Sequence, residues 1–319
     1  DNNIYIVGSS KADLDAGGSE SHVGLEDIII VKYNTSGVQQ WIKQYGTTRI
    51  DIGTSITIDY LDNIFITGHT INTDGNYDII IKKLNNSNGT AVWEKTISSS
   101  DSGNDYSYGI TTDNIGNIYI SGYTSGNLIS PLSPMSKNDF FIGKYSTSDG
   151  TQIWMRQYGS YLHDETTTFS SSITCDSFGN IYISGHTKGN LEINNKNKTA
   201  NDLFIMKLNS DGEEIWKEQI GTSSDEKNIS ITTDFYGNIY VAGITKGNLG
   251  LKHNLTKLGS EYDLFIIKLH GEDSVPIKEI KNGSENITIQ IPTPINKTNI
   301  DGLAIDNLTI QKPIRFSIL

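Results

Sequence analysis

The stretch NIYISGYT at residues 117–124 decides the fold, because the chain contains five similar copies of this segment. The others are NIYIVGSS at 3–10, NIFITGHT at 63–70, NIYISGHT at 180–187 and NIYVAGIT at 238–245. β-Branched and aromatic residues dominate each copy, which favours a strand. The copies begin 54 to 63 residues apart, so one structural unit is repeated along the chain.

Three further segments accompany each copy in a fixed order. The first reads DIIIVKY at 27–33, DIIIKKL at 78–84, DFFIGKY at 139–145, DLFIMKL at 202–208 and DLFIIKL at 263–269. A glycine-containing polar turn and a second strand follow, and this strand carries all four tryptophans, Trp41, Trp93, Trp154 and Trp216. The last segment is ITID at 56–59, ITTD at 110–113, ITCD at 173–176 and ITTD at 231–234. Each unit therefore holds four short strands.

Four antiparallel strands per unit predict an all-β protein, a β-propeller of four-stranded antiparallel blades with almost no helix. A sandwich shows no such regular spacing, and leucine-rich or tetratricopeptide repeats are shorter and contain helix. Because a blade cannot bury both of its faces alone, the core is expected between neighbouring blades. The tryptophans and the inner-strand residues Ile56, Ile110, Ile173 and Ile231 are predicted to fill it.

The repeats predict a propeller over 1–280 that starts within blade one, and a C-terminal extension over 281–319. In that extension DGLAIDNLTI at 301–310 is similar to an inner strand and its turn. We expect 302–306 to pair beside 4–8 and close a ring of five blades, which would remove the open sheet edge. The alternative is that the tail begins a sixth blade.

Composition excludes some partners. The chain has 25 Lys and Arg against 37 Asp and Glu, a net charge of −12, and no basic stripe, so a nucleic-acid partner is not expected. No apolar run reaches the ~20 residues of a membrane span.

The chain starts inside a repeat, and we expect a monomeric module of a larger protein. Cys175 is the single cysteine. Ten N-x-S/T sequons would suit a secreted glycoprotein.

Two segments alternate over residues 3–269, D-x-x-G-N-[IV]-Y-[IV]-x-G-x-T and D-x-[FI]-[IV]-x-K-[LY]-x-x-x-G-x-x-x-W. They resemble the repeat units of the bacterial and archaeal SBBP-type β-propeller repeat proteins. That resemblance implies a surface or secreted location and no shared set of catalytic residues. A weaker likeness links 146–159 and 209–221 to the tryptophan-docking repeats of quinoprotein dehydrogenases. It covers packing positions only.

Acidic residues precede the inner strand in four units and are predicted to lie at one mouth of the central channel. An oxygen-rich ring of this kind suits Ca²⁺. The alternative is that each carboxylate caps its own loop, as Asp does in turns. The same alternative applies to two other sets of aspartates that recur at equivalent repeat positions, at 27, 78, 139, 202 and 263 and at 59, 113, 176 and 234. The candidate metal ligands are Asp51, Asp105, Asp164 and Asp225.

Nothing in the sequence indicates catalysis. The histidines form no metal-binding pair, His69 and His186 occupy a variable repeat position interpreted as a surface site, and only His163 has acidic neighbours, Asp164 and Glu165. Cys175 is interpreted as a small buried side chain.

The variable loops at 10–26, 124–138, 187–201 and 245–262 would crowd one face. The sequence thus predicts a non-enzymatic extracellular or cell-surface module that binds a protein or glycan through that face, or acts as a scaffold. The alternative is a propeller enzyme, such as a lyase, glycosidase or quinoprotein.

Overall fold

The computed structural model describes residues 3–14, 24–129, 138–158, 172–188, 200–247, 249 and 262–269. These residues form 18 β-strands arranged in five antiparallel sheets, and none of them is helical. Within the described part of the chain, no segment has the helical length and apolar character that a membrane span requires. The all-β prediction is confirmed.

Each sheet is made of strands that follow one another in the chain, and we call it a blade. We name the strands a to d within a blade, in chain order. Blade one contains β1 (Ile4–Ser10), β2 (Asp27–Tyr33) and β3 (Gln39–Tyr45) as strands b to d. Blade two contains β4 (Asp51–Ile58), β5 (Ile64–Ile71), β6 (Tyr77–Leu84) and β7 (Ala91–Ile97). The alternating apolar residues of each segment set this antiparallel register.

The remaining blades repeat the arrangement. Blade three contains β8 (Asp105–Thr112), β9 (Asn117–Thr124), β10 (Asp139–Ser146) and β11 (Gln152–Tyr158). Blade four contains β12 (Ser172–Cys175), β13 (Ile181–Thr187), β14 (Asp202–Leu208) and β15 (Glu214–Ile220). Blade five contains β16 (Glu226–Thr233), β17 (Ile239–Thr245) and β18 (Asp263–Leu269) as strands a to c. The predicted inner strand at 302–306 and the extension 281–319 lie outside the described residues.

The core lies between blades, as predicted. Four clusters of buried residues each join one blade to the next. In blade two, for example, Ile64 and Ile66 pack towards blade one, while Phe65 between them packs towards blade three. Successive residues of a strand point to opposite faces of its sheet, so the central strands of blades two, three and four each contribute to two cores. The a strands of neighbouring blades contact each other on the inner side.

Three tryptophans of strand d, Trp41, Trp93 and Trp154, form a repeated joint between blades. Trp93 Nε1 of blade two donates to the backbone oxygen of Thr147, in the turn between strands c and d of blade three, at 3.3 Å. Lys83 Nζ of strand c donates to the same oxygen at 3.1 Å. Equivalent bonds join Trp41 and Lys32 to Asn86, and Trp154 and Lys144 to Ser210. The indole N–H thus has the partner that burial requires.

The glycine of the c–d turn completes the joint. Gly150 has φ +70°, a left-handed conformation that disfavours a side chain, and a Cβ added there would lie 2.9 Å from Cζ3 of Trp93. Gly89 and Gly212 lie equally close to Trp41 and Trp154. Each tryptophan ring therefore lies on the bare backbone of the next blade.

Candidate functional site

The carboxylates that follow the a strands hold the turns between strands a and b. Asp113 Oδ1 accepts the backbone N–H groups of Ile115 and Asn117, while Oδ2 accepts Asn117 Nδ2 and the hydroxyl of Tyr119. Asp176 and Asp234 make the same four contacts in their own turns. This Asp column is architectural, because each carboxylate uses its oxygens on its own turn.

Two of the predicted metal ligands also bond to their own loops. Asp51, the first residue of β4, is buried and accepts the backbone N–H and the hydroxyl of Thr47 at 2.7 and 2.9 Å. Asp105, the first residue of β8, is buried and accepts the Ser99 N–H at 2.6 Å and the Thr124 hydroxyl. Both carboxylates tie the connection from the preceding blade to the start of an a strand.

Asp225 does not belong to the same column. The register pairs Asp51 with Thr70, Asp105 with Thr124 and Glu226 with Thr245, so Glu226 holds the equivalent position in blade five. Glu226 accepts the Thr222 N–H at 2.8 Å and the Thr245 hydroxyl at 2.7 Å. Asp225 instead accepts the N–H and side-chain amide of Asn201, and the backbone bond is the main cause that lowers its pKa.

The fourth candidate, Asp164, lies outside the described residues. Within the described segments, no three His, Cys, Asp or Glu side chains form a group suited to a metal ion. The calcium site therefore stays a prediction, with the local hydrogen bonds of Asp51 and Asp105 as its competing explanation. A melting temperature higher in Ca²⁺ than in EDTA would support the ion.

The interpretation of His69 and His186 as surface residues was wrong. Both side chains are buried, with 5% and 2% exposure, because the end of strand b is covered by the neighbouring elements. Burial lowers the pKa of His69 to about 4. A hydrogen bond with the Ser107 backbone acts in the opposite direction and is the smaller effect. The buried Nδ1 atom of His69 has no hydrogen-bond partner. The imidazole is thus neutral at physiological pH.

Cys175, interpreted as a small buried side chain, is partly buried. It lies on β12 and contacts the core between blades three and four. Burial, together with the nearby carboxylates of Asp113 and Asp176, raises the pKa of its thiol. A thiol with a raised pKa is a poor nucleophile at neutral pH. His163, the other residue considered for chemistry, lies outside the described residues.

The repeat symmetry breaks between blades two and three. Five aromatic side chains meet there, and we call them the aromatic cluster: His69, Tyr77, Tyr106, Tyr108 and Tyr123. Strand b of blade two contributes His69, and strand c contributes Tyr77. Strands a and b of blade three contribute the other three. All five lie at the end of the blades where b strands end and c strands begin, which we call the loop face.

Blade three is unusual because three variable positions all carry tyrosine. Tyr106 takes the place of Ile52 and Lys227 in the a strands of blades two and five. Tyr108 lies in a β-bulge, at the position of Thr54 and Ile229. A bulge redirects a side chain and is common beside functional sites. Tyr123 takes the strand b position held elsewhere by Ser9, His69, His186 and Ile244.

Tyr106 lies at the centre of the aromatic cluster. Its ring centroid is 4.7 Å from that of Tyr123, 4.8 Å from Tyr77 and 4.9 Å from the His69 imidazole. The Tyr108 ring lies nearly parallel to those of Tyr106 and Tyr123, at interplanar angles of 13° and 21°. The four tyrosines are partly exposed while His69 is buried. The tyrosines therefore form a continuous aromatic surface with the imidazole beneath it.

The phenols of Tyr106, Tyr108 and Tyr123 are uncharged at neutral pH. Burial, together with the neighbouring phenols of Tyr123 and Tyr77, raises the pKa of Tyr106 to about 12. Burial also raises the pKa values of Tyr108 and Tyr123, whose hydroxyls share a hydrogen bond. A neutral phenol can both donate and accept a hydrogen bond. The surface thus offers apolar ring faces and bifunctional hydroxyls side by side.

A polar network fixes the two blades that carry the cluster. The Asn104 side chain accepts the Tyr77 N–H at 2.9 Å, which joins strand c of blade two to the start of blade three. Deeper in the interface, the Thr67 hydroxyl donates to Ser107 Oγ at 2.7 Å, and Thr54 donates to the Ser107 backbone at 2.8 Å. These bonds flank the tyrosines on both sides. The aromatic surface is therefore preorganised.

Comparison with known proteins identifies the repeats. The sequence matches the SBBP beta-propeller repeat family at residues 40–76, 153–192 and 215–250. Each matched segment begins in a Trp-bearing strand d and continues through strands a and b of the next blade. Each match thus crosses from one blade to the next. No curated protein is significantly similar to the chain.

Several solved structures are similar at low identity. BamB from Moraxella catarrhalis is 11% identical over 69% of this chain and 57% of that one, with a TM-score of 0.32. The polysaccharide lyase PL25 ulvan lyase is 10% identical over 76% and 63%, with a TM-score of 0.46. The β-propeller domain of the Trilobed protease from Pyrococcus furiosus is 13% identical over 84% and 66%, with a TM-score of 0.42. The present chain covers less than two thirds of each.

The family match and the five blades lead to the same result. The matched segments contain Trp41, Trp154 and Trp216, together with the a and b strands of the blade that follows each of them. The chain is therefore a β-propeller protein with repeats of the SBBP type.

Proposed function

We propose that this chain is a non-enzymatic, extracellular or cell-surface module that binds a glycan at the aromatic cluster on its loop face. The cluster carries this proposal, because it is a partly exposed, rigid aromatic surface where the repeat symmetry breaks. A structural requirement common to all blades would recur in all of them. The three tyrosines of blade three do not recur, so a ligand is the simplest reason for them.

Sugars suit this surface chemically. A pyranose presents a C–H face, which packs on an aromatic ring, and a rim of hydroxyls, which need donors and acceptors. The neutral phenols of Tyr106, Tyr108 and Tyr123 supply both. Binding sites commonly combine aromatic walls with a few placed polar groups. Because the ring positions are fixed by packing, little ordering free energy would be lost on binding.

The location outside the cell rests on the family resemblance and the sequons. Asn85 and Asn88, two sequon asparagines in the c–d turn of blade two, are exposed. Asn228 is a sequon asparagine that cannot carry a glycan, because it is buried and its Oδ1 accepts the Ser184 hydroxyl at 2.7 Å. We expect modification at exposed sequons only.

The second candidate is a propeller enzyme that acts on a glycan. It is favoured by the convergence of unlike groups, since the neutral imidazole of His69 lies 4.9 Å from the Tyr106 ring and Asp105 precedes Tyr106 in the chain. Catalysis requires such a local meeting of an acid or base with a polar partner. Release of new reducing ends or unsaturated sugars from a bound glycan would establish this activity and contradict the non-enzymatic proposal.

A glycan array with three proteins tests the proposal. We expect the wild-type protein to bind at least one glycan, and Tyr106→Ala to lose tenfold or more in affinity, a typical loss for a central aromatic contact. Tyr60→Ala is the matched control, because Tyr60 is an exposed tyrosine of an a–b turn at the opposite end of the blades. Circular dichroism and melting should show all three folded. No wild-type binding, or equal binding by Tyr106→Ala, would contradict the proposal.

A further inference from the structure

The charges beside the aromatic cluster are acidic. Asp78 follows Tyr77 in β6, and Asp105 precedes Tyr106 in β8. Both carboxylates are buried, with 7% and 0% exposure. Burial is the main cause that raises the pKa values of both carboxyl groups. The negative charge of Asp74 also raises the pKa of Asp78, and that of Asp78 also raises the pKa of Asp105. Three acidic side chains thus influence one another at this site.

The strand c lysines Lys32, Lys83 and Lys144 bond to c–d turns, at the end of the blades opposite the loop face. Arg49 lies on the loop face, where it is partly exposed and donates to the Thr73 backbone in the b–c loop of blade two at 3.3 Å. In the described part of the structure, no lysine or arginine lies over a ring of the aromatic cluster.

Blade five shows the contrast. Tyr262, which precedes the strand c aspartate as Tyr77 does, has two lysine ammonium groups over its ring, Lys227 at 5.4 Å and Lys246 at 4.6 Å. Lys227 occupies the strand a position that Tyr106 occupies in blade three. Substitution of tyrosine for lysine at this position leaves the ring faces between blades two and three without an internal cation.

These observations set the charge of the ligand. The face of an aromatic ring attracts cations and repels anions, and nearby carboxylates act in the same direction. Resting on the glycan-binding function proposed above, we propose that the aromatic cluster selects glycans of neutral or amino sugars and rejects uronic acids and sulfated sugars. A free amine on the sugar strengthens binding, because an ammonium group can lie against a ring face.

A series of matched oligosaccharides tests this selectivity. The probes are cellohexaose, its fully amino counterpart chitosan hexamer, and a hexamer of β-1,4-linked glucuronic acid. All three have the same length and linkage, and each charged hexamer differs from cellohexaose by one group per sugar, an amine or a carboxylate. We expect calorimetry at low salt and about pH 6 to rank them amino, neutral, acidic, with at least tenfold between neutral and acidic. The difference should shrink at 1 M NaCl, where the Debye length falls to about 3 Å.

Variants assign the selectivity to this site. Asp74→Asn and Asp78→Asn should each narrow the neutral-to-acidic ratio by about twofold or more, because each removes one negative charge. Asp74 is exposed, so its variant is expected to fold even if that of Asp78 does not. Asp149→Asn, in the c–d turn of blade three at the opposite end, is the control and should leave the ratio unchanged.

The outcomes separate the two proposals. Equal or tighter binding of the acidic hexamer overturns the charge selectivity and leaves glycan binding standing. A ratio that responds to Asp149→Asn as strongly as to Asp74→Asn also overturns the selectivity as a property of this site. Absence of binding to all three probes and to the glycan array overturns the proposed function together with the selectivity.

Discussion

At the scale of single residues, the turn carboxylates show how small differences between repeats change hydrogen bonding. Asp113, Asp176 and Asp234 each accept a tyrosine hydroxyl from strand b of their own blade. In blade two that tyrosine is replaced by Phe65, so the Asp59 carboxylate accepts hydrogen bonds from Leu61 and Asn63 and has no tyrosine partner. Blade two therefore lacks one charge-assisted hydrogen bond that the three later blades have.

Exchanging these two residues tests that difference. Tyr119→Phe should lower the free energy of unfolding by about 1–3 kcal/mol, the usual value of a hydrogen bond to a charged group. Phe65→Tyr should raise it, because the new hydroxyl reaches a carboxylate that already faces this position in the other blades. Urea unfolding of both variants measures the two changes. Equal destabilisation by both would show that the repeats are not interchangeable here.

At the scale of the structural element, the joint between blades depends on a turn without a side chain. Gly37 and Gly150 have nearly the same positive φ, +75° and +70°, in equivalent c–d turns. A Cβ on Gly37 would meet nothing within 4 Å, whereas one on Gly150 would meet Trp93 and Lys95 at 2.9 Å. The two positions thus separate backbone strain from the space that the tryptophan requires.

Alanine at both positions measures each contribution. Gly37→Ala should destabilise the protein by about 1–2 kcal/mol, the cost of a left-handed residue with a side chain. Gly150→Ala should cost a further ~1–3 kcal/mol, because Trp93 must move out of its contact. Urea unfolding and the fluorescence of Trp93 report stability and displacement. If the two variants are equally stable, the tryptophan does not rest on the turn.

Much of the element pattern could be predicted from the sequence, because every blade repeats it. The strands, the tryptophan joints and the positive-φ glycines all follow from residues that recur at a fixed spacing. The acidic column was misassigned at one member: Ile56, Ile110 and Ile231 are each preceded at five residues by Asp51, Asp105 and Glu226, so a fixed distance would have found Glu226 in place of Asp225.

The candidate site was harder to predict than the fold. Tyr106, Tyr108 and Tyr123 occupy positions that vary between blades, and a variable position was interpreted as exposed, as for His69. Comparing the columns blade by blade would have shown three tyrosines in blade three. The contribution of His69 and Tyr77 could not be seen in that way, because it depends on how blade two packs against blade three.

At the scale of the whole molecule, His69 couples the interface of blades two and three to pH. Its pKa of about 4 in the folded protein lies below the ordinary 6.5, so the unfolded chain binds more protons between these values. Stability due to His69 is therefore present above pH 6.5 and is lost as the pH falls towards 4. The raised pKa values of Asp78 and Asp105 act in the opposite direction.

A glutamine variant isolates this contribution. Between pH 7 and 4 the wild-type protein should lose up to about 3 kcal/mol through His69, from 1.36 kcal/mol per pKa unit. His69→Gln keeps a neutral polar side chain and should lose correspondingly less over the same range. Urea unfolding at pH 7, 5.5 and 4.5 gives both curves. Parallel curves would mean that His69 is not buried as a neutral imidazole.

The tryptophan joints have a direction, since blades one, two and three each extend an indole to the turn of the blade that follows. A gene duplication that inserts one more repeat recreates the same joint on both of its sides, so the array tolerates growth by unequal crossing-over. One seam is an exception. An extra copy placed between blades two and three would keep every joint, and yet it would carry His69 and Tyr77 away from the tyrosines of blade three and divide the aromatic cluster.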